Sequence, residues 1–284
     1  MVFVVTVSND NGGLKNIPGT IVLAGAGKMG GAMLTGWLAR GLDPHRIVVI
    51  EPSPSAEISA LSSQGVRLNP KDAAIAETLV IAVKPQTFRQ EGGVLKAFRN
   101  AVDPLKTLVV SIMAGMTIAS IEDVCGGAVV RAMPNTPAAI GRGITAAVAA
   151  DTVSATQRLT AEALLKAAGT VEWVENEGLM DAVTAVSGSG PAYVFLLAEE
   201  LARAGVAAGL PEELAARLAR ETVAGSGELL HRSELSAATL RQNVTSPGGT
   251  TAAALEVLMG NEGLHRLMIR AVAAATARSK ELAK

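Results

Sequence analysis

The short apolar run Thr20-Ile21-Val22-Leu23-Ala24 breaks off into Gly25-Ala26-Gly27-Lys28-Met29-Gly30, after which apolar residues recur at helical spacing through Leu38. A strand, a glycine turn and a helix in immediate succession leave few architectures open, and a parallel sheet covered by helices is the one built from this order. Each glycine has its own reason to be there. Gly25 permits the tight turn, Gly27 lets the backbone approach a diphosphate, and Gly30 lets the helix lie close to the sheet. The following strand, Arg46-Ile47-Val48-Val49-Ile50, ends in Glu51, about 20 residues beyond the turn, where such an arrangement places an acceptor for ribose hydroxyls.

The same rhythm continues. Leu79-Val80-Ile81-Ala82-Val83 ends in Lys84-Pro85-Gln86, Leu108-Val109-Val110-Ser111-Ile112 in Met113-Ala114-Gly115, and Ala128-Val129-Val130-Arg131-Ala132-Met133 in Pro134-Asn135-Thr136-Pro137. These runs are continuous rather than alternating, the pattern of parallel strands buried on both faces. In an open parallel sheet the ligand lies beyond the carboxyl ends of the strands, so the four post-strand segments are expected to line one crevice for a dinucleotide cofactor. Two further strands are expected at 144–149 and 169–174, with a helix over 153–168 between them. The reading is an α/β dinucleotide-binding domain over 20–176. Residues 1–19 are expected to be a disordered extension, a stray edge strand being the alternative.

From about residue 176 the strand patterns vanish, and 177–284 reads as a helical domain. Helices are expected at 192–208, 212–230, 236–242, 251–260 and 262–282, with a break or kink at Gly190-Pro191. Between two of them lies Val244-Thr245-Ser246-Pro247-Gly248-Gly249-Thr250-Thr251, which combines hydroxyls, flexible backbone and a helix start. Thr250 or Thr251 is the expected N-cap, and the turn is a ready seat for a carboxylate or phosphate.

Composition narrows the classes. Hydrophobic residues make up 49% of the 284-residue chain but aromatics only 2%, so its cores are built from small and aliphatic side chains. A net charge of −1, with the charges dispersed, offers no face for nucleic acid and no polybasic tail for a membrane. One cysteine forms no intrachain disulfide, three scattered histidines suggest no metal site, and a cytoplasmic location is expected. Alanine-rich helices carrying apolar groups around much of their circumference are expected to pair with a second copy of the chain.

Taken together, Gly25-Ala26-Gly27-Lys28-Met29, Ala82-Val83-Lys84-Pro85-Gln86, Ser111-Ile112-Met113-Ala114-Gly115, Arg131-Ala132-Met133-Pro134-Asn135-Thr136-Pro137, Ser187-Gly188-Ser189-Gly190-Pro191-Ala192-Tyr193 and the stretch from Val244 to Thr251 resemble the motifs of the pyrroline-5-carboxylate reductase family. The resemblance extends over nearly everything from residue 20 to residue 280. It implies an N-terminal Rossmann-type domain followed by an all-helical C-terminal dimerisation domain, in an oxidoreductase of proline synthesis that carries hydride from NADPH or NADH to the imine carbon of 1-pyrroline-5-carboxylate. It implies that the first four motifs hold the cofactor. The corresponding residues are Gly25, Ala26, Gly27, Lys28, Met29, Ala82, Val83, Lys84, Pro85, Met113, Ala114, Gly115 and Asn135, joined by Glu51. It implies that the turn holds the substrate carboxylate, with Glu234, Asn243, Val244, Ser246, Gly248, Gly249, Thr250 and Thr251 on the substrate side. A homodimer, or a larger homo-oligomer built from it, is implied as well. One departure stands out: relatives that prefer the phosphorylated cofactor carry small hydroxyl or basic groups after the second strand, where this chain has Glu51.

The chemistry agrees with the residues present. A cyclic imine is easily protonated and its iminium carbon accepts hydride directly, so alignment matters more than an activated base. Thr251 is the candidate for a hydrogen bond to the ring nitrogen, with a plain helix cap as the alternative. Glu234 is the candidate for favouring the iminium charge, with a solvated surface glutamate as the alternative. Two other readings stay open: a hydride-transfer enzyme for hydroxy acids, and a non-catalytic dinucleotide sensor. The former commonly uses a helical-domain lysine, and this half of the chain has only Lys280 and Lys284.

Overall fold

The structure is a computed structural model and describes residues 14–72, 75–89 and 98–282. They divide into two compact units, one made of 14–188 together with 276–282, the other of Ser189–Ala275.

The first unit is built on one eight-stranded sheet, β1 Ile21–Ala24, β2 Ile47–Ile50, β3 Arg67–Leu68, β4 Thr78–Ile81, β5 Leu108–Ser111, β6 Ala128–Met133, β7 Gly143–Ala149 and β8 Gly169–Trp173. Their spatial order is β3-β2-β1-β4-β5-β6-β7-β8. The chain therefore winds outward from β1 in one direction and then, from β4, in the other, which makes the end of β1 a topological switch point. The register carries the geometry further: Ala24 lies opposite both Ile50 and Ile81, and Ile81 opposite Ser111. Four strands thus stop at one level, and the segments after them share one edge.

Alternate residues of the strands feed two cores. Ile21, Leu23, Ile47, Val49, Val80 and Val110 belong to one face, and Val22, Ala24, Val48, Leu79, Ile81 and Val109 to the other. Helix α1, Lys28–Ala39, covers the first face, and its fully buried Trp37 donates from Nε1 to the Leu164 carbonyl at 2.9 Å. Leu164 lies in α5, Ala155–Lys166, which opens with a capping box between Ser154 and Gln157. The shorter helices α2 Ala56–Ala60, α3 Pro85–Arg89 and α4 Ile118–Cys125 complete the layer structure.

Several expectations need correction. The extension expected over 1–19 does not describe residues 14–19, because Leu14 and Ile17 are buried in the first core and the Arg46 guanidinium binds the carbonyls of Ile17 and Gly19. Residues 1–13 lie outside the described residues. The sheet is not wholly parallel, since β7 runs antiparallel to β6. The connection over 134–142 is too short for a parallel crossover, and the single 3-10 turn Thr136–Ile140, ending at Gly141 with φ 68°, sends the chain back along its neighbour. The break expected at Gly190-Pro191 is present: the chain is non-helical at Ser189, and a new helix starts at Gly190. The chain passes through the helical turn α6, Met180–Val183, and a π-helical turn, Thr184–Gly188, and Pro191 falls in the first turn of α7, Gly190–Ala207, where its missing N–H costs nothing.

Residues 177–188, the start of the expected helical domain, group with the sheet in the compact units. Met180 and Ala185 are buried, and Glu177 accepts from the Ile118 N–H at 2.9 Å and from the Arg131 guanidinium at 2.8 Å, so this segment packs on the sheet. Residues 276–282 belong there too: Ser279 donates to Asp181 at 2.6 Å, and the Leu282 carbonyl accepts from Arg89.

The second unit contains α7, α8 Glu212–Arg232, α9 Ala237–Asn243, α10 Thr250–Leu258 and most of α11 Leu264–Leu282. Helices α7 and α8 approach closely where Gly205 faces Ala215. Among its described residues only Ala215 and Ala219 are buried, while Phe195, Leu197 and Ile269 are more than half exposed.

The Arg131–Glu177 pair should matter to stability in a way that surface pairs do not. Arg131 has only 6% of its side chain exposed, so Glu177→Ala strands a buried charge and is expected to cost about 2 kcal/mol. Removing the exposed partner in Arg67→Ala, which breaks the pair with Asp72, should leave the urea midpoint where it is. Urea denaturation followed by circular dichroism checks both.

Candidate active site

The crevice at the switch point is assembled from backbone first. Gly25 has φ 93°, and a Cβ there would stand 2.8 Å from the Ala82 carbonyl, so the β1 turn and the segment after β4 press directly together. Gly25 N–H donates to the Ile50 carbonyl at 2.9 Å and Ala82 N–H to that of Ala24 at 2.7 Å, which extends the sheet one residue past its strands. A Cβ on Gly30 would meet the Gly25 carbonyl at 2.1 Å, which explains the close seat of α1. Gly27 differs: a Cβ there would meet nothing within 4 Å, and its φ is an ordinary −68°. The protein itself has no need of glycine at this position, whereas a ligand approaching the backbone does.

Gly27 is also the N-cap of α1 and no side chain caps that helix; an open cleft of about 980 Å³, lined by Ala26, Gly27, Lys28, Glu51 and Ser53, begins there and runs along α1 to Arg40. An uncapped helix start with an empty Cβ position suits a dinucleotide diphosphate. Glu51 stands at the rim. Its carboxylate accepts from the Ala26 N–H at 2.9 Å and from the Ser53 N–H at 3.1 Å, which sets a fixed acceptor beside the glycine turn.

The other expected cofactor residues fall at the same edge. Ala82, Val83, Lys84 and Pro85 follow β4, Lys84 being exposed, and Met113, Ala114 and Gly115 follow β5. The Met113 side chain is 2% exposed within the second core, so its main chain is what faces a ligand. Met29 likewise packs against the first core. Asn135 follows β6, and its Oδ1 accepts from the Ile144 N–H at 3.0 Å, leaving the Nδ2 donor. Sequence reasoning missed Asn69, which grips the main chain of Glu51 on both sides. Its position just before Pro70, in a residue type that tolerates the left-handed region, was the available signal.

The expected substrate residues all lie in the helical unit. Asn243 ends α9, Val244 follows it 65% exposed, and Glu234 is exposed in the segment between α8 and α9. Pro247 and Gly248, with φ 67° at the glycine, form a type II turn closed by Gly249 N–H to the Ser246 carbonyl at 3.0 Å. Neither threonine caps α10: Gly249 occupies the N-cap without a side-chain bond, and Thr250 and Thr251 are its first two residues. The cap expected of them is therefore absent. Their hydroxyls and the first-turn amides of α10 are left together for solvent or an anion.

Among the described residues, no group of three or more His, Cys, Asp or Glu stands in position to hold a metal. Burial pushes the Cys125 thiol up to about 12, so it is no nucleophile. No helix among the described residues is long and apolar enough to cross a membrane.

Comparison with known proteins also sets the helical half apart, beginning at residue 177. Residues 177–282 match the family described as pyrroline-5-carboxylate reductase dimerisation, and residues 20–115 match NADP oxidoreductase coenzyme F420-dependent. The pyrroline-5-carboxylate reductase of Synechocystis is 42% identical over 92% of this chain and 97% of its own. The structure of a pyrroline-5-carboxylate reductase from Coxiella burnetii superposes with a TM-score of 0.85 at 38% identity, covering 94% of this chain and 99% of that one. A pyrroline carboxylate reductase of Plasmodium falciparum with NADP bound superposes with a TM-score of 0.75 at 30% identity, covering 96% and 100%.

The two helix-side glycines should separate cleanly in experiment. Gly27→Ala is expected to leave the melting temperature unchanged and to weaken dinucleotide binding by at least roughly tenfold. Gly30→Ala is expected to cost about 3 kcal/mol of stability through its clash with the Gly25 carbonyl. Thermal melts paired with NADH fluorescence titrations distinguish the two effects.

Proposed function

The chain belongs to the pyrroline-5-carboxylate reductase family, and we propose on that footing that it reduces 1-pyrroline-5-carboxylate to L-proline with NAD(P)H. NAD(P)H when bound supplies the hydride that the iminium carbon receives. The chain's own residues bind and orient. Gly25 to Met29 and the start of α1 hold the diphosphate, Glu51 holds the ribose, and Ala82 to Pro85, Met113 to Gly115 and Asn135 line the remainder of the cofactor. On the substrate side the turn through Gly248 and Gly249 and the free first amides of α10, those of Thr250 and Thr251, hold the carboxylate, with Asn243, Val244 and Ser246 around it. The Thr251 hydroxyl meets the ring nitrogen, and Glu234 favours its positive charge. The observation that carries this reading is the turn itself: two threonine hydroxyls and the uncapped amides of α10 gathered at one point. A carboxylate beside a nitrogen is what such a point recognises.

Glu51 supports use of NADH, because a carboxylate accepts hydrogen bonds from both ribose hydroxyls and repels a 2′-phosphate. The oligomer is a homodimer formed through the helical half, a reading supported by the near absence of buried residues in Ser189–Ala275. The lone buried cysteine supports a reducing, cytoplasmic setting.

Oxidation of NADH and NADPH measured with pyrroline-5-carboxylate, and with a 2-hydroxy acid as control, tests the activity. Consumption with the imine alone, at least as fast with NADH as with NADPH, is expected, and turnover of the hydroxy acid instead would overturn it. Thr251→Ala should lower turnover about fivefold, near 1 kcal/mol, with cofactor affinity retained. Unchanged turnover would make Thr251 a purely structural residue. Light scattering at low micromolar concentration should give twice the 28.9 kDa chain mass or a multiple of it, and a fully active monomer would contradict the dimer.

A further inference from the structure

Asn69 is the only described non-glycine residue with positive φ, at 47°. It stands just past β3, a strand of two residues, and before Pro70, which has no N–H to offer a neighbouring strand. The sheet ladder ends here for want of backbone, and the Asn69 side chain continues it. Asn69 N–H donates to the Val49 carbonyl at 2.8 Å, which is the last main-chain bond of the β2–β3 pair. Its Oδ1 then accepts from the Glu51 N–H at 2.9 Å and its Nδ2 donates to the Glu51 carbonyl at 2.8 Å. The carboxamide thus takes the place of the peptide group that a longer strand would have supplied, and it grips Glu51 from both sides.

The consequence is carried by the Glu51 side chain. With its backbone held in strand register, the carboxylate reaches the Ala26 N–H in the glycine turn and the Ser53 N–H beyond. A carboxylate on a loosely held backbone can swing aside and let a 2′-phosphate in, whereas one held at both oxygens and at its own peptide groups cannot. We propose that Asn69 is a positioning residue for dinucleotide choice, acting through Glu51 to favour a free ribose 2′-hydroxyl over a 2′-phosphate. The proposal rests on the function assigned above and requires no contact between Asn69 and the cofactor.

The test is calorimetric titration of the full-length protein with NAD⁺ and with NADP⁺, which needs no turnover. Wild type is expected to bind NAD⁺ more tightly, and Glu51→Ser to narrow that ratio. Asn69→Gly keeps the left-handed backbone accessible while removing the carboxamide, and is expected to narrow the NAD⁺ to NADP⁺ affinity ratio roughly fivefold, the scale of one lost hydrogen bond. Asn69→Asp keeps the acceptor for the Glu51 N–H but loses the donor, and is expected to fall between the two, which keeps the test alive should the glycine variant fold poorly. Asn69→Gly combined with Glu51→Ser should behave as Glu51→Ser alone. An Asn69 variant that weakens both dinucleotides equally, or leaves the ratio unchanged, would overturn the proposal. A wild-type protein that binds neither dinucleotide would overturn the underlying function as well, and the two failures are told apart by that titration.

Discussion

The level at which β1, β2, β4 and β5 end is the constraint on which the cofactor crevice depends. Because Ala24, Ile50, Ile81 and Ser111 stand side by side in register, Gly25, Glu51, Ala82 and the segment leading to Met113 emerge at one edge. Shifting one strand by a residue would exchange its two faces between the cores and carry its post-strand residue out of the crevice. The glycines then tune the fit at close range. Gly25 and Gly30 are required by neighbouring backbone atoms, and Gly27 alone is left for something outside the protein.

The two compact units differ in how they are held together. In the sheet unit both faces are packed, and Trp37, Phe88 and Phe98 are the fully buried aromatics of the two cores among the described residues, with Trp173 packed at the edge of the first. The unit made of Ser189–Ala275 buries only Ala215 and Ala219 among its described residues and leaves Phe195, Leu197, Leu267 and Ile269 largely exposed. Burial of an apolar side chain is worth about 1.5–3 kcal/mol, so a helical unit of this kind is stable only when something covers those faces. The family match over 177–282 is to a dimerisation domain, in keeping with that deficit.

Much of this was legible in the chain because the informative signals are local. Continuous apolar runs marked β1, β2, β4, β5 and β6, and proline, glycine and alanine patterns marked the long helices, within a few residues of their observed ends. What escaped notice depends on partners distant in sequence. Leu14 and Ile17 look like part of a disordered extension until Arg46 and the first core are seen to hold that stretch. The antiparallel turn of β7 follows from a connection length that composition does not emphasise, and β3 is too short to show a pattern. At the candidate site the glycine turn and Glu51 were readable from spacing, but Asn69 acts through its side chain on a strand 18 residues earlier. The helix cap was misread for a related reason: Gly249 already has the extended conformation that an N-cap needs, so neither threonine is required there.

Direct hydride delivery to a cyclic imine is the central claim, and isotope transfer tests it most closely. The enzyme would be incubated with pyrroline-5-carboxylate and NADH carrying deuterium at the transferable C4 position, and the product examined by mass spectrometry and NMR. The account predicts L-proline bearing one deuterium on the former imine carbon, with no dilution by solvent hydrogen. Proline without deuterium at that carbon, or oxidation of NADH without formation of proline, would contradict it.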